Sequence, residues 1–408
     1  VRTRWTPQRA ECQSGVNLMA PGRTDSRLFT RRFVMLGIAE LGYFTAMGVS
    51  IYALPLFATG PVGAGSAGAG LAFGVFALTA LVLRPIAGRL CDTIGRFPLL
   101  IVGAAVAAVG LAVTADVDTL VGLVVIRLIL GVGEAAFVVA AFAALADVAP
   151  PERMGEAVSY NSLGLYVGIA IGPVIGHTIA THQDLRAAWY GAAALAVLAT
   201  LCTFGVGETL SRSSAVSSSP ARRFIHWPAI PIGFGFLTGV VAMGGFLAFA
   251  SLRAQELDLA NTSLPLLAYG MTVVLCRVVF AKLPDRVPAL PLGTASLALT
   301  AVGLLIAASW QAPAGLVIGA VVLAVGVAFT TPAFLAAMFA TAAPEQRGAA
   351  SATVSVMIDV GLGAGPLILG VVAQAFGLGW AFATAAVIAS IGSMWVAQLA
   401  RARRVAAS

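Results

Sequence analysis

Long apolar runs separated by short polar breaks fill the chain. They fall near 33–58, 66–87, 98–115, 119–146, 155–181, 187–207, 229–251, 262–283, 289–309, 313–342, 349–376 and 378–400, and a helix needs about 20 apolar residues to cross a hydrocarbon core. Twelve membrane-spanning helices are predicted, since lipid offers no partner to an unpaired backbone group. One longer polar stretch, Glu208 to Arg223, holds Ser211, Ser213, Ser214, Ser217 to Ser219 and Pro220 and reads as a flexible tether. The expected parts are a tail over 1–28, a six-helix half over 29–207, a linker over 208–228, a second six-helix half over 229–401 and a tail over 402–408.

The two halves repeat each other. A shift of 193 residues superimposes Arg84 on Arg277, Arg89 on Lys282, Leu90 on Leu283 and Asp92 on Asp285. The same shift brings Pro151, Glu152, Gly155, Gly168, Gly172 and Pro173 onto Pro344, Glu345, Gly348, Gly361, Gly365 and Pro366. One constant offset predicts two parallel repeats related by an axis along the membrane normal, with a substrate site between them near the midplane. The fold class is therefore all-α and membrane-embedded, in two parallel six-helix halves.

Composition agrees: 59% of residues are apolar and 10% charged, against roughly 25% charged in soluble domains. The charge of +7 is a topology signal. Arg2, Arg4, Arg9, Arg23, Arg27, Arg31 and Arg32 precede or open the first span, Arg212, Arg222 and Arg223 lie between the halves, and Arg401, Arg403 and Arg404 follow the last span. Cytoplasmic loops retain such residues, so both termini are expected in the cytoplasm, and nucleic-acid binding is a poor reading of the charge. The first 27 residues lack the apolar core of a cleavable signal and are expected to be disordered. Cys12, Cys91, Cys202 and Cys276 are scattered, which suggests neither a disulfide framework nor a metal site. Arginine and alanine usage, with Lys282 the only lysine, points to a GC-rich bacterium and its cytoplasmic membrane.

Gly88-Arg89-Leu90-Cys91-Asp92-Thr93-Ile94-Gly95-Arg96, read as a charged loop between spans 2 and 3, resembles the corresponding loop of major facilitator superfamily transporters, G-x-L-a-D-r-x-G-r, with Thr93 departing from the usual basic residue. The resemblance implies a gating latch: Arg84, Gly88, Arg89, Asp92, Gly95 and Arg96, with Asp92 at the N-terminal end of span 11 and Arg96 or Arg89 paired with Asp147. Arg277, Lys282, Asp285 and Arg286 form a weaker mirror copy. Arg127 with Gly131, Gly133 and Ala135-Ala136 resembles the fourth-helix motif of the superfamily, in which the arginine is associated with proton coupling. In span 5, Gly164, Gly168, Gly172-Pro173 and Gly176 resemble the superfamily's antiporter motif, with His177 replacing the last glycine. Ordinary helix packing is the alternative, because span 11 repeats Gly361, Gly365 and Pro366.

Four intramembrane charges have no charged counterpart in the other half: Glu40 faces Gly233 in the alignment, Arg127 Ala320, Glu134 Val327 and Asp359 Tyr166. Ionisable groups at such depth cost about 2.5–3.5 kcal/mol on insertion scales and mark function, so these four form the expected proton-coupling set. Arg127 and Glu134 lie on nearly one face but about 10 Å apart along the helix, so direct contact is not expected. Glu134 or Glu40 would carry the proton with Arg127 tuning it; a static ion pair between spans 1 and 4 is the alternative. Tyr43, Phe44, Phe137, Tyr166 and Phe246 are the candidate cavity lining. Three buried acids against one arginine suit a lipophilic compound, cations included.

The expected activity is proton-driven export of drug-like or metabolite compounds by alternating access. The alternative is proton symport importing a small metabolite such as a sugar or organic acid; a third class is a non-transporting membrane sensor. No phosphate-cradling loop ending in Lys-Ser or Lys-Thr supports ATP-driven transport, and no nucleophile, acid–base pair or metal set supports an enzyme. No cofactor is implied. The expected partners are a small-molecule substrate, protons and the bilayer, with the monomer as functional unit.

Overall fold

The computed structural model describes residues 28–150, 153–210, 225–343 and 346–407. The expected N-terminal tail up to residue 27, linker residues 211–224, residues 151–152 and 344–345, residue 408 and the side chain of Asp285 lie outside the described residues. Among the described residues every regular element is a helix. In chain order these are α1 (Arg31–Thr59), α2 (Gly65–Ile94), α3 (Arg96–Thr114), α4 (Leu120–Val148), α5 (Met154–His182), α6 (Leu185–Val206), α7 (Ile230–Glu256), α8 (Leu264–Val279), the single turn α9 (Leu283–Arg286), α10 (Ala289–Ser309), α11 (Pro313–Phe339), α12 (Arg347–Phe376) and α13 (Leu378–Ala407). Eleven are long and apolar enough to cross a membrane, and the shorter apolar α8 completes the twelve predicted runs.

Two boundaries depart from the sequence reading. The stretch read as a loop over Gly88–Arg96 is helix: α2 continues to Ile94 and α3 begins at Arg96. Gly95 alone separates them, at φ +111°, a backbone conformation open to glycine and costly for a side chain. The eighth run is split: α8 has 16 residues and stops before Phe280, and Pro284 opens the separate turn α9. At 1.5 Å per residue α8 spans about 24 Å, short of a 30 Å core, and the turn beyond it makes up the distance. Elsewhere polar caps fix the starts. Thr30, Thr119 and Asp184 accept hydrogen bonds from the backbone N–H of Phe33, Gly122 and Ala187, satisfying donors that a helix leaves free at its N-terminus.

Within the first half α1 packs on α5 and α6, and α4 on α2 and α3; in the second α7 packs on α12 and α13, and α10 on α11 and α13. Lipid is as apolar as a leucine side chain, so close packing of small residues has to hold such helices together. Gly48 of α1 sits against Gly168 and Gly172 of α5, where a Cβ on Gly48 would come 2.7 Å from the Gly168 carbonyl oxygen. In the repeat, Gly361 and Gly365 of α12 lie against Val240 and Val241 of α7 in the same manner. The span-5 stripe lies in the α1–α5 contact, and Gly176 continues it against Tyr52.

The halves meet through α2 with α12, α5 with α8, and α1 with α7. The start of α1, the α6–α7 connection and the end of α13 share one face, here the terminal face, and the α1–α2, α5–α6, α7–α8 and α12–α13 connections share the distal face. The α2–α12 approach begins at the distal end, where Gly70 meets Pro366 and Gly370 and Gly74 meets Gly363, and continues inward to Leu78. Among the described residues, the side-chain contacts between halves run from the distal face to mid-depth. The bundle is closed distally.

Candidate functional site

Two arginines hold the halves together at mid-depth. Arg84 of α2 reaches Asp359 of α12: Nη2 donates to Oδ1 at 3.0 Å and Nε lies 2.6 Å from Oδ2. Arg277 of α8 reaches Tyr166 of α5, with Nη2 donating to the hydroxyl at 2.7 Å and the guanidinium 4.2 Å from the ring centre. The 193-residue shift carries Arg84 onto Arg277 and, in reverse, Asp359 onto Tyr166. The two contacts are therefore copies of one another across the pseudo-two-fold axis. Both arginines were expected in the terminal-face latch; they instead reach across between the halves, Arg84 from about three turns before the end of α2 and Arg277 from the last turn of α8.

Glu134 of α4 is half-buried, whereas Glu40 and Asp359 are 2% and 3% exposed. The Tyr43 hydroxyl donates to Glu134 Oε2 at 2.8 Å, and the Tyr43 ring stacks on Phe137 at 4.0 Å with Phe44 edge-on at 5.5 Å. Glu134 lies within electrostatic reach of Arg84 and Asp359, so the half-interface pair and this acid form one constellation. Glu40 is apart, between α1 and α5, with the Asn161 side chain as a hydrogen-bonding partner. Arg127 pairs with no carboxylate among the described residues. Its Nε donates to the Ala72 carbonyl at 3.0 Å, its Nη1 to Ser50 Oγ at 3.1 Å, and its guanidinium lies 4.4 Å from the Phe76 ring centre. The static Glu–Arg pair between spans 1 and 4 is not formed. Phe246 is fully buried in the second half between Tyr269 and Phe382.

The distal closure has a polar seam that the sequence reading did not contain. The Tyr52 hydroxyl lies 3.0 Å from His177 Nδ1 and 2.9 Å from Thr262 Oγ1 of the other half, and Ser251 Oγ donates to the Tyr52 carbonyl at 3.3 Å. A cavity of about 530 Å³ opens outside it, lined by Tyr52, Leu56, His177, Thr181, Gln255 and Thr262 among others. The sequence signal was the departure of His177 from the glycine pattern of span 5.

Comparison with known proteins places this architecture. The family model described as the Major Facilitator Superfamily matches residues 36–310 and again 233–407. The chain belongs to the major facilitator superfamily. An uncharacterized MFS-type transporter of Burkholderia pseudomallei (strain 1106a) is 29% identical over 86% of the chain and 87% of its own length. One of Salmonella typhimurium is 26% identical over 88% and 94%. Among solved structures, the nucleoside transporter NupG aligns with a TM-score of 0.76 at 14% identity, covering 90% of this chain and 99% of that one. A bacterial homologue of the lysosomal transporter Spinster, inward-facing and occupied, aligns at 0.75 with 15% identity over 90% and 96%. The chain is thus a superfamily transporter working by alternating access, and not an enzyme.

The charged cluster at the α2–α3 junction is assembled within the first half. Arg96 is buried and binds three groups: Nε to Asp147 Oδ2 at 3.0 Å, Nη1 to the Cys91 carbonyl at 2.8 Å, and Nη1 to Asp92 Oδ1 at 3.3 Å. The Asp147 pairing expected of Arg96 or Arg89 is made by Arg96, while Arg89 is exposed. Asp92 was expected at the start of span 11; among the described residues its charged partner is Arg96, four residues on. Gly88 has open space around it. The sequence reading missed Glu208, whose carboxylate accepts from the backbone N–H of Arg96 and Phe97 at 3.0 and 3.3 Å, capping α3 where Gly95 leaves no side chain to do so. A carboxylate also gains there from the helix dipole. Burial pushes the Glu208 carboxyl up, but the backbone donors Leu210, Arg96, Phe97 and Thr209 together outweigh it and hold the group below the usual carboxylate range. Thr209 Oγ1 adds a bond to Asp147 at 2.9 Å, so the start of the linker is fastened to this cluster.

Proposed function

We propose that this transporter is a proton-coupled exporter of lipophilic or amphiphilic small molecules, resident in a bacterial cytoplasmic membrane with both termini inside, and that Asp359 carries the proton. The observation behind this is the Arg84–Asp359 pair, because its two members belong to different halves. Opening the distal face draws α2 away from α12 and takes the counter-ion from a carboxyl that is 3% exposed. A buried acid without a cation takes up a proton, here from the outside. Closing the distal face brings Arg84 back, and the re-formed pair expels the proton towards the open terminal side. Glu134 lies within reach of the same arginine and is the second candidate carrier. The driving force is adequate, since one charge crossing 100 mV yields about 2.3 kcal/mol. Export is supported by the likeness of span 5 to the antiporter pattern.

The test uses acidified inside-out vesicles and a panel of lipophilic compounds, comparing the natural chain with Asp359→Asn, Arg84→Gln, Glu134→Gln and Glu40→Gln. Compound-dependent proton release is expected, with loss in Asp359→Asn and retention in Glu40→Gln. A well-folded Asp359→Asn that still couples would overturn the assignment; uptake of compounds with protons would replace export by import.

A further inference from the structure

The duplication supplies an internal comparison that bears on what the transporter carries. At equivalent places in the two halves, Arg84 and Arg277 present the same guanidinium edge to the opposite half. At Arg84 that edge holds a carboxylate, Nη2 on one oxygen and Nε on the other. At Arg277 it meets only a phenol: Nη2 donates to the Tyr166 hydroxyl, and Nε, which like Arg84 Nε makes no hydrogen bond among the described residues, has no carboxylate in ion-pair contact there. No acidic side chain pairs with Arg277 among the described residues, whose ion pairs all involve other arginines.

A guanidinium at mid-depth with a neutral partner is costly unless an anion completes it. Arg127 also lacks a carboxylate, but a carbonyl, a hydroxyl and an aromatic face occupy it and it is 3% exposed, so it is sealed. Arg277 is half-buried and remains accessible. A guanidinium has five N–H donors and Tyr166 takes one. Tyr269 lies within electrostatic reach of both Arg277 and Tyr166, and its ring packs 5.6 Å from Phe246, so apolar surface adjoins the charge. With Arg84 and Arg277 at this depth beside Arg127, the excess of acids that favoured cations in the sequence disappears.

We propose that Arg277, with Tyr166, is the docking site for the carboxylate of an amphiphilic organic anion, which takes the guanidinium edge as Asp359 takes that of Arg84. This rests on the transport reading and adds the substrate class to it. The ligand carboxylate displaces the Tyr166 hydroxyl from Nη2, and the ring stays against the guanidinium.

Binding of naphthoate and decanoate, with their uncharged amides and naphthyl trimethylammonium as controls, is measured by titration calorimetry on the full chain in nanodiscs at neutral pH. No pH gradient is present, so a failure of proton coupling is read separately from a failure of anion binding. The carboxylates are expected to bind at least about tenfold more tightly than the amides, as loss of a charge-assisted hydrogen bond implies. Arg277→Gln should abolish that preference. Tyr166→Asp, which installs the counter-ion found at Arg84, should abolish it too while keeping the unfolding temperature, and Arg277→Lys should keep part of it. Equal binding of carboxylate and amide, no binding of either carboxylate, or an intact preference in a folded Arg277→Gln or Tyr166→Asp would each overturn the proposal.

Discussion

Replacing Gly70 by valine should open the distal face. Gly70 of α2 lies against the Pro366 carbonyl, and an added Cβ would also stand 3.1 Å from the Gly370 Cα; every one of those contacts is backbone of the opposite half. A side chain can swing aside and a helix backbone cannot, so the cost falls on the α2–α12 separation. Overpacking of this kind costs about 1–3 kcal/mol. Paid only in the distally closed state, that amounts to a shift of about 5–150-fold towards the open one. Spin labels on Pro61→Cys and Ala260→Cys, exposed positions in distal connections of the two halves, report the separation by pulsed electron resonance. The long-distance population should grow in Gly70→Val. Gly88→Ala is the control, because nothing lies within 4 Å of a Cβ there, and alanine is the better helix former. An unchanged distance distribution in a folded Gly70→Val would show that the glycine contact does not set the distal closure.

Breaking the half-interface pair should also be costly, and restoring neutrality should repair it. Asp359→Asn leaves Arg84 uncompensated, a change worth about 3–5 kcal/mol for a fully buried pair and less here because 26% of the Arg84 side chain is exposed; the unfolding temperature should fall and partly recover in Arg84→Gln/Asp359→Asn. Glu208 should give the terminal face an acid-side stability loss. Its carboxyl titrates below the usual range in the folded chain, so its contribution is present above the unfolded value of about 4.3 and is lost as pH falls through the folded value; melting curves from pH 7 to 4 should show a smaller loss in Glu208→Gln. Arg96→Gln should destabilise far more than Asp92→Asn, since Arg96 is buried with three partners whereas Asp92 is 54% exposed in one helix-surface pair, worth about 0.3–0.5 kcal/mol; equal melting shifts would contradict this.

The sequence by itself determined the crossings, the repeat and which charges lie within the spans. Twelve apolar runs follow from the length of the hydrocarbon core, and a constant offset between equivalent residues is a property of order along the chain. The cost of charge in lipid singled out Glu40, Arg127, Glu134 and Asp359 without coordinates. Local chemistry at the Gly88–Arg96 stretch was legible as well, though not its helical form, because an arginine or aspartate at a membrane surface suits a loop and a helix end equally. Partner choice was not legible. Arg84 and Asp359 are separated by 275 residues, and what joins them is the antiparallel approach of α2 and α12, set by backbone contact at Gly70, Gly74 and Gly363. Arg127 hydrogen-bonds the Ala72 carbonyl and Ser50 and forms no ion pair with a carboxylate among the described residues, and Glu208 reached α3 only because α6 ends beside the α2–α3 junction. Charge and length are written in one dimension; which cation meets which acid depends on how closely two helices can approach, and only the packed bundle decides that.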